Sequence, residues 1–280
     1  MFTSLAPGAI GVKVASLEAG LDLAARHGFG GYHFGIGEAA DLGAQRVRDL
    51  AAAKDVRLSA FGFPVNFRGA EADFEKDLAA LPHLAQAAAA LDVRRCATWI
   101  TPASDELSYA DNFALHARRL KAAAAVLAEH GVRLGLEYVG PDHSRKGKKH
   151  EFIHTMDQMA QLCAAVGDNC GYLLDAWHWY TARETAAHLT RLAAEQVVDV
   201  HVNDAPERPV AEQVDNQRTL PGETGVIDIA TFLGSLRRIG YDGPVMAEPF
   251  SQRVRDMAAD EACAATRAAL DRVFDRAGLS

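Results

Sequence analysis

The chain has 280 residues, of which 49% are hydrophobic and 24% are charged. These proportions are typical of a folded globular protein and exclude a largely disordered, collagen-like or coiled-coil chain. The 29 basic and 37 acidic side chains give a formal net charge of −8, and because binding a phosphate backbone requires a concentrated cationic surface, nucleic acid is not expected as a partner.

Short segments rich in β-branched and aromatic residues alternate along the chain with segments rich in alanine and leucine. Eight of them are predicted as strands: IGVKV from Ile10, GYHFG from Gly31, RLSAFGF from Arg57, RCATWI from Arg95, RLGLEYV from Arg133, CGYLLDAW from Cys170, VVDVHVND from Val197 and PVMAEPF from Pro244. Strands separated by helices form right-handed βαβ units in a parallel sheet. Eight units in a chain of this length predict an α/β fold, a single (β/α)8 TIM barrel over residues 1–280.

An open, doubly wound parallel sheet is the alternative fold. Such a sheet usually carries a glycine-rich G-x-G-x-x-G turn after its first strand. The first predicted strand runs instead into VKVASLEAG, where Ser16 is placed to cap a helix. No proline- or serine-rich linker divides the chain, so we favour the one-domain barrel.

Four consecutive predicted strands, the fifth to the eighth, each end with one polar side chain on the face opposite their apolar residues. In chain order these are Glu137, Asp175, His201 and Glu248. Three carboxylates and an imidazole are costly to bury together unless a cation neutralises them. Barrel enzymes have their active sites at the carboxyl ends of the strands. The pattern therefore predicts a site for one divalent metal ion. This donor set suits Mn²⁺, Mg²⁺ or Co²⁺, of which we favour Mn²⁺, and zinc is a further candidate.

Taken singly, each of these residues is better explained as a hydrogen-bonded core residue or a solvated strand end. Their common phase and common end favour one shared site, because unpaired buried charges are strongly disfavoured.

Five motifs resemble those of the xylose isomerase-like superfamily, which includes sugar-phosphate isomerases and epimerases, inosose isomerases and ketose 3-epimerases. They are LGLEYVG around Glu137, LLDAWHWY around Asp175 and His178, VHVNDAP around His201, LPGETGVIDI around Glu223, and GYDGPVMAEPF around Glu248. The resemblance implies that Glu137, Asp175, His201 and Glu248 are the metal ligands. It also implies that His178, three places after the aspartate, contacts the substrate.

The resemblance further implies a divalent-metal-dependent isomerase or epimerase acting on a small keto-sugar or inosose through an enediolate. The metal would polarise the substrate carbonyl, and Glu137 and Glu248 would form the acid/base pair on opposite faces of the enediolate. A metal-dependent lyase, a dehydratase or C-glycoside-cleaving eliminase, is the second hypothesis. A barrel that only binds carbohydrate is the third.

One residue departs from the ketose 3-epimerase pattern. Those enzymes usually have a second glutamate six places after the first ligand, and His143 stands there in this chain. The EYVG segment is closer to the inosose isomerase branch. We retain His143 as a candidate substrate contact.

Three further side chains are candidates for substrate binding. Trp99 and Trp177, near the ends of predicted strands, offer aromatic faces for a sugar or cyclitol ring. Arg218 stands just before LPGETG and could bind a substrate oxygen. The basic segment from Pro141 to His154 is interpreted either as a solvated loop or as a lid over the site.

The chain carries no recognisable targeting or membrane-spanning segment, so we expect a cytoplasmic protein with no membrane partner. Its cysteines are far apart in sequence and are expected to be buried free thiols: Cys96, Cys163, Cys170 and Cys263. Because members of the similar superfamily are often dimers or tetramers, a homodimer or homotetramer is expected.

Overall fold

A computed structural model describes residues 1–279, and within them eight parallel strands close into a barrel. The barrel strands are β1 (Phe2–Leu5), β2 (Gly31–Phe34), β3 (Arg57–Gly62), β4 (Arg95–Trp99), β6 (Arg133–Glu137), β8 (Cys170–Asp175), β9 (Val197–Val202) and β10 (Pro244–Ala247). They follow one another around the barrel in chain order, and β10 pairs with β1. The predicted (β/α)8 barrel is confirmed.

Helices surround the strands and cover their outer faces. In chain order they are α1 (Leu17–Arg26), α2 (Ile36–Leu42), α3 (Ala44–Ala53), α4 (Glu71–Ala90), α5 (Tyr109–Glu129), α6 (Met156–Val166), α7 (Ala176–Thr181), α8 (Ala186–Thr190), α9 (Ile229–Arg238), α10 (Gln252–Arg255) and α11 (Ala259–Arg276). Short 3₁₀ turns lie at Pro7–Ile10, Asp142–Ser144, Ala194–Gln196 and Val210–Glu212. Ser16 caps α1 as expected, since its hydroxyl accepts the Ala19 N–H at 3.2 Å.

The first strand is β1, and the prediction of a strand from Ile10 is wrong. Residues Pro7–Ile10 form a 3₁₀ turn, and Gly11 follows with a φ of 79°. The Val12 N–H then donates to the carbonyl of Pro7 at 2.9 Å. The IGVKV segment therefore begins in a turn, and that turn packs Val12 into the core. The true strand was missed because it has only four residues and the central two, Thr3 and Ser4, are polar although both are buried.

The apolar side chains predicted for the outer faces of these strands are buried in the hydrophobic core. Side chains assigned to the outer faces have no exposed surface, including Leu134, Leu136, Val200, Val202 and Val245. Burying such side chains is the main source of stability for a fold of this kind. The polar side chains at alternate positions, Glu137, Asp175, His201 and Glu248, lie close to one another.

A small antiparallel sheet ties two loops together at the carboxyl end of the barrel. It pairs β5 (Ala103–Ser104) with β7 (His150–Glu151), joining the loops that follow β4 and β6. The basic segment after β6 is paired within this region: Arg145 donates to Asp142 at 2.7 Å and Lys148 to Asp105 at 2.7 Å. These contacts anchor the loop and neutralise part of its charge.

All four cysteines lie in the described part of the chain, and each is buried and unpaired, as expected. No helix within residues 1–279 has the length and apolar composition needed to cross a bilayer.

Candidate metal centre

The four candidate ligands meet at the carboxyl end of the barrel because each stands at the end of its strand. Glu137 ends β6, Asp175 ends β8, and Glu248 directly follows β10. His201 lies level with Asp175 in the pairing of β8 with β9. Its Nδ1 atom is 3.8 Å from Glu137 Oε1, 4.0 Å from Asp175 Oδ2 and 3.6 Å from Glu248 Oε2. One donor atom from each residue lies within 4.8 Å of all the others.

Two atoms of this cluster are buried without a hydrogen-bond partner among the described residues, Glu137 Oε1 and His201 Nδ1. Each buried polar atom without a hydrogen bond lowers the stability of the fold by roughly 1–3 kcal/mol. Two such atoms at the same point therefore need an explanation. A divalent cation between them would satisfy both. The donor set of three carboxylate oxygens and one imidazole nitrogen, without thiolate, fits such an ion.

The electrostatics of the protein groups alone show how strongly the site favours positive charge. Burial, followed by the charges of Glu248 and Asp175, raises the pKa of Glu137 well above its ordinary value. Burial also opposes ionisation of Glu248, but His201 and Arg218 lower its pKa to about 2. The carboxylates thus compete for the available positive charge, which a bound cation would supply.

Asp175 has separate partners for its two oxygens. Its Oδ1 accepts the Trp177 N–H at 2.6 Å, which caps α7, and the Asn203 amide at 3.0 Å. Its Oδ2 faces His201 and Arg218. The cap therefore fixes the carboxylate in the orientation that directs Oδ2 toward the site.

Arg218 is buried inside the cluster. Its Nη1 donates to Asp175 Oδ2 at 2.9 Å and to Glu248 Oε2 at 3.0 Å, and its Nη2 donates to Asp215 at 2.7 Å. Burial disfavours the guanidinium charge, but these carboxylates raise the pKa of Arg218 above its ordinary value. Its guanidinium also lies 4.6 Å from the ring centre of Phe250, whose φ of 39° is unusual for an aromatic residue.

The loop that carries Arg218 is held from below by Asp204. This carboxylate accepts the N–H groups of Thr224, Gly225 and Ile227 at 2.7–3.0 Å. The backbone of Asp204 also pairs with Thr219, next to Arg218. The segment after β9 is therefore an ordered arm that carries Arg218 into the barrel mouth.

His178, in the first turn of α7, is fully enclosed beside the cluster. Its Nε2 lies 4.0 Å from Glu137 Oε1 and 3.3 Å from Arg218 Nη2, and its Nδ1 faces the Gly140 N–H at 3.2 Å. Burial, followed by the charge of Arg218, lowers its pKa, so the ring is neutral at pH 7. A side chain at position 140 would meet the His178 carbonyl at 2.5 Å, which explains the glycine in the EYVG segment.

Two cavities open beside the cluster and share Glu248 and Phe250 as walls. The larger, about 460 Å³, is lined by Trp99, Thr101, Pro102, Glu137, Val139, Ser144, His178, Asp215, Arg218, Glu248 and Phe250. The other, about 420 Å³, includes His33, Phe34, Phe61, Asp199 and His201 in its wall. Each has the size of a small-molecule site, about 300–1,000 Å³.

The structure brings some of the predicted substrate contacts to these cavities and leaves two away. Trp99, which is 48% exposed, Arg218 and His178 line the larger cavity. Trp177 is completely buried and packs 5.3 Å from the Arg218 guanidinium, so it supports that arginine and does not face a ligand. His143 is exposed on the 3₁₀ turn Asp142–Ser144, outside both cavity walls.

Three polar residues of the site were not predicted from the sequence. Asn203 donates to Asp175, Asp215 binds Arg218, and Asp199 lies beneath His201. A signal was present for two of them, since Asp199, His201 and Asn203 occupy every second position along β9 and the residue that follows it. Nothing in the sequence pattern identified Asp215, because its partner is brought to it by the loop.

A family model described as "Xylose isomerase-like TIM barrel" matches residues 21–272. Among solved structures, a xylose isomerase domain protein from Alicyclobacillus acidocaldarius superposes with a TM-score of 0.89 at 31% identity, with 99% of each chain covered. A structure of the IolI protein with a zinc atom superposes with a TM-score of 0.79 at 19% identity, over 99% of this chain and 98% of that one. At 19% identity, the similarity to the IolI structure shows a shared fold and nothing further.

Among curated relatives, an inosose isomerase from Halalkalibacterium halodurans is 28% identical over 134 residues. The match covers 48% of this chain and 45% of that protein. The chain therefore aligns with about half the length of this relative.

Proposed function

Since the chain belongs to the xylose isomerase-like TIM barrel family, we propose that it is a divalent-metal-dependent isomerase or epimerase that acts on a small keto-sugar or inosose. The observation that carries this proposal is the pair of buried, partnerless atoms, Glu137 Oε1 and His201 Nδ1, that face each other among further carboxylates at the barrel mouth. The inosose isomerase relatives support the substrate class.

In this proposal Glu137, Asp175, His201 and Glu248 hold the ion. The zinc in the IolI structure is consistent with a divalent metal, and Mn²⁺ remains the ion we favour from the donor set. When bound, the ion would supply Lewis-acid polarisation of a substrate carbonyl and stabilise negative charge on its oxygen.

The chain's own carboxylates carry the proton transfers. Glu137 and Glu248 extend from β6 and from the end of β10, with β8 and β9 between them in the barrel wall. One removes the proton from the carbon next to the carbonyl, and an enediolate results. The other glutamate starts protonated and gives its proton either to the opposite face of the same carbon, which epimerises it, or to the neighbouring carbon. In the second case the hydroxyl proton also moves from one oxygen to the other, so that the carbonyl changes place. The two glutamates then exchange protons with solvent.

Neutral His178 and cationic Arg218 orient the substrate oxygens. Both line the larger cavity next to Glu137, and their N–H groups offer hydrogen bonds to hydroxyl or carbonyl oxygens. Trp99, at the rim of the same cavity, offers an aromatic face to the apolar side of a ring.

The experiment is a turnover assay of the metal-stripped protein reloaded with Mn²⁺, Mg²⁺, Co²⁺ or Zn²⁺ against inososes, ketoses and 3-keto-glycosides in D₂O. We expect a product of the same composition as its substrate that carries deuterium on carbon. Loss of water or of an aglycone would identify the lyase instead. Metal-independent binding without turnover would identify a carbohydrate-binding barrel.

The homodimer or homotetramer and the cytoplasmic location remain predictions. Light scattering coupled to size-exclusion chromatography measures the first, and cell fractionation measures the second.

A further inference from the structure

A second cluster of polar side chains crosses the barrel interior beneath the four candidate ligands. Asp199 lies two residues before His201 on β9, and His33 projects from β2 on the far side of β1. The Nε2 atom of His33 is 2.8 Å from Asp199 Oδ2. The Nε2 atom of His201 is 3.8 Å from the same oxygen.

The cluster continues as a directional chain of hydrogen bonds through β1 to β3. Ser4 Oγ lies 3.0 Å from His33 Nδ1 and 2.8 Å from Ser59 Oγ. In a neutral His33 ring, Nδ1 accepts the Ser4 hydroxyl and Nε2 donates to Asp199. Asp199 Oδ1 accepts the N–H of Val200 at 2.9 Å, so the carboxylate is held from both sides.

His33, Asp199 and His201 could by themselves be a second metal site, since their donor atoms are close enough. Their hydrogen bonding argues against that. Within residues 1–279, no side-chain polar atom of His33 or Asp199 is buried without a partner. The unsatisfied atoms lie on the other side of the imidazole, at His201 Nδ1 and Glu137 Oε1. The unsatisfied atoms therefore favour an ion on the Nδ1 side of His201, and Asp199 lies on the opposite, Nε2 side of the ring.

We propose that Asp199, held by His33 and Ser4, is a positioning residue that accepts the Nε2–H of His201 and so directs the Nδ1 lone pair at the bound metal. A metal-bound histidine commonly donates its other N–H to a carboxylate, which fixes the tautomer and the orientation of the ring. The proposal rests on the metal site of the proposed function. It requires the imidazole to close the 3.8 Å separation to roughly 2.9 Å when the metal is bound.

The test measures the Kd of Mn²⁺ by equilibrium titration for the wild-type chain and for Asp199→Asn, His33→Gln and Ser4→Ala. We expect Asp199→Asn to weaken binding by roughly 10- to 100-fold, with smaller losses in the other two. The matched control is Asp228→Ala, which removes the cap of α9. It lowers stability by about 1 kcal/mol and leaves the Kd unchanged, which separates positioning from folding.

A second readout needs no variant. Long-range ¹H–¹⁵N correlation spectra of the Zn²⁺-loaded wild-type protein should show His201 protonated at Nε2. Protonation at Nδ1, or an unchanged Kd in Asp199→Asn when the wild type binds one ion, would overturn the positioning role alone. Two ions per chain, with one lost in His33→Gln, would also overturn it in favour of a second metal site. No binding by the wild type would overturn both this role and the metal-dependent function.

Discussion

The Nδ1 atom of His201 lies 3.6 Å from Oε2 of Glu248, at the point where neighbouring strands β9 and β10 end. The separation is longer than a hydrogen bond, and Nδ1 has no other partner among the described residues. Glu248 directs the same oxygen to Arg218 at 3.0 Å. The imidazole and the carboxylate are therefore arranged around a common point and not bonded to each other.

Replacement of either proposed acid/base residue should abolish turnover. Glu137→Gln and Glu248→Gln each remove a proton-transfer group, which accounts for roughly 10² to 10⁴ in rate, and each also removes a metal ligand. Steady-state kinetics with saturating Mn²⁺ measures the loss. Glu106→Gln, an exposed glutamate in the loop after β5, is the control and should keep wild-type activity. Near-normal rates in both site variants would defeat the mechanism.

A bound metal ion should partly replace Arg218 in neutralising the carboxylates of Asp175 and Glu248. Arg218→Met leaves Asp175 and Glu248 without their bonds at 2.9 and 3.0 Å, and we expect the free energy of unfolding to fall by about 3–5 kcal/mol, as when one partner of a buried pair is removed. Saturating Mn²⁺ should stabilise this variant more than the wild type, since the ion neutralises the same carboxylates. Urea denaturation with and without Mn²⁺ measures both quantities.

The control for that experiment is Arg208→Met, in the same loop. Among residues 1–279, the guanidinium of Arg208 donates only to the side chain of Gln217. It should change stability by less than about 0.5 kcal/mol. Equal metal stabilisation of Arg218→Met and the wild type would show that the arginine and the ion do not share these carboxylates.

His116 should make the fold sensitive to acid independently of the metal centre. It is buried between Phe67 and Phe152, and burial lowers its pKa from 6.5 to about 4. As the pH falls from 6.5 toward 4, His116 becomes protonated in the unfolded chain but stays neutral in the folded chain. The free energy of unfolding therefore decreases over that pH range. The loss approaches about 3 kcal/mol below pH 4.

Comparison with His116→Phe isolates this effect. The stability difference between the wild type and the variant should shrink, or reverse in favour of the variant, as the pH falls from 7 to 4. Denaturant unfolding at several pH values measures it. A difference that stays constant across this range would mean that His116 titrates equally in the folded and unfolded chains.

The barrel could be predicted because eight short apolar segments alternate with helical segments along the chain. Glu137, Asp175, His201 and Glu248 could be identified because each interrupts an apolar strand at one end, and parallel strands bring those ends together. The first strand was misplaced because it is short and its two central residues, Thr3 and Ser4, are polar. A pattern search for alternating apolar residues passes over such a strand.

The partners that complete the site depend on loops and on contacts across the barrel. Arg218 was a candidate substrate contact because it stands just before LPGETG, but its bonds to Asp175 and Asp215 depend on the arm that Asp204 holds. Trp177 was predicted to contact substrate because it stands near a strand end. In the structure it lies in the first turn of α7, and its side chain is buried in the core. The link from Asp199 to His33 joins residues 166 positions apart, which local pattern cannot predict.

Binding of a divalent ion should raise the melting temperature of the protein. A ligand that binds only the folded chain stabilises it by about 2.7 kcal/mol at a concentration of 100 times its Kd. Scanning calorimetry of the chelator-treated protein, before and after addition of Mn²⁺, measures the shift. The chelator-treated sample should also be inactive, and a melting temperature that is unaffected by both treatments would count against the site.

The number of Mn²⁺ ions bound per chain, measured by equilibrium dialysis at saturating metal, tests the central claim most directly. We predict one ion for the wild type and none for Glu137→Gln combined with Glu248→Gln, with both proteins folded by circular dichroism. Binding of no ion by the wild-type chain, or of one ion by both proteins, would contradict the assignment of these four side chains as a metal centre.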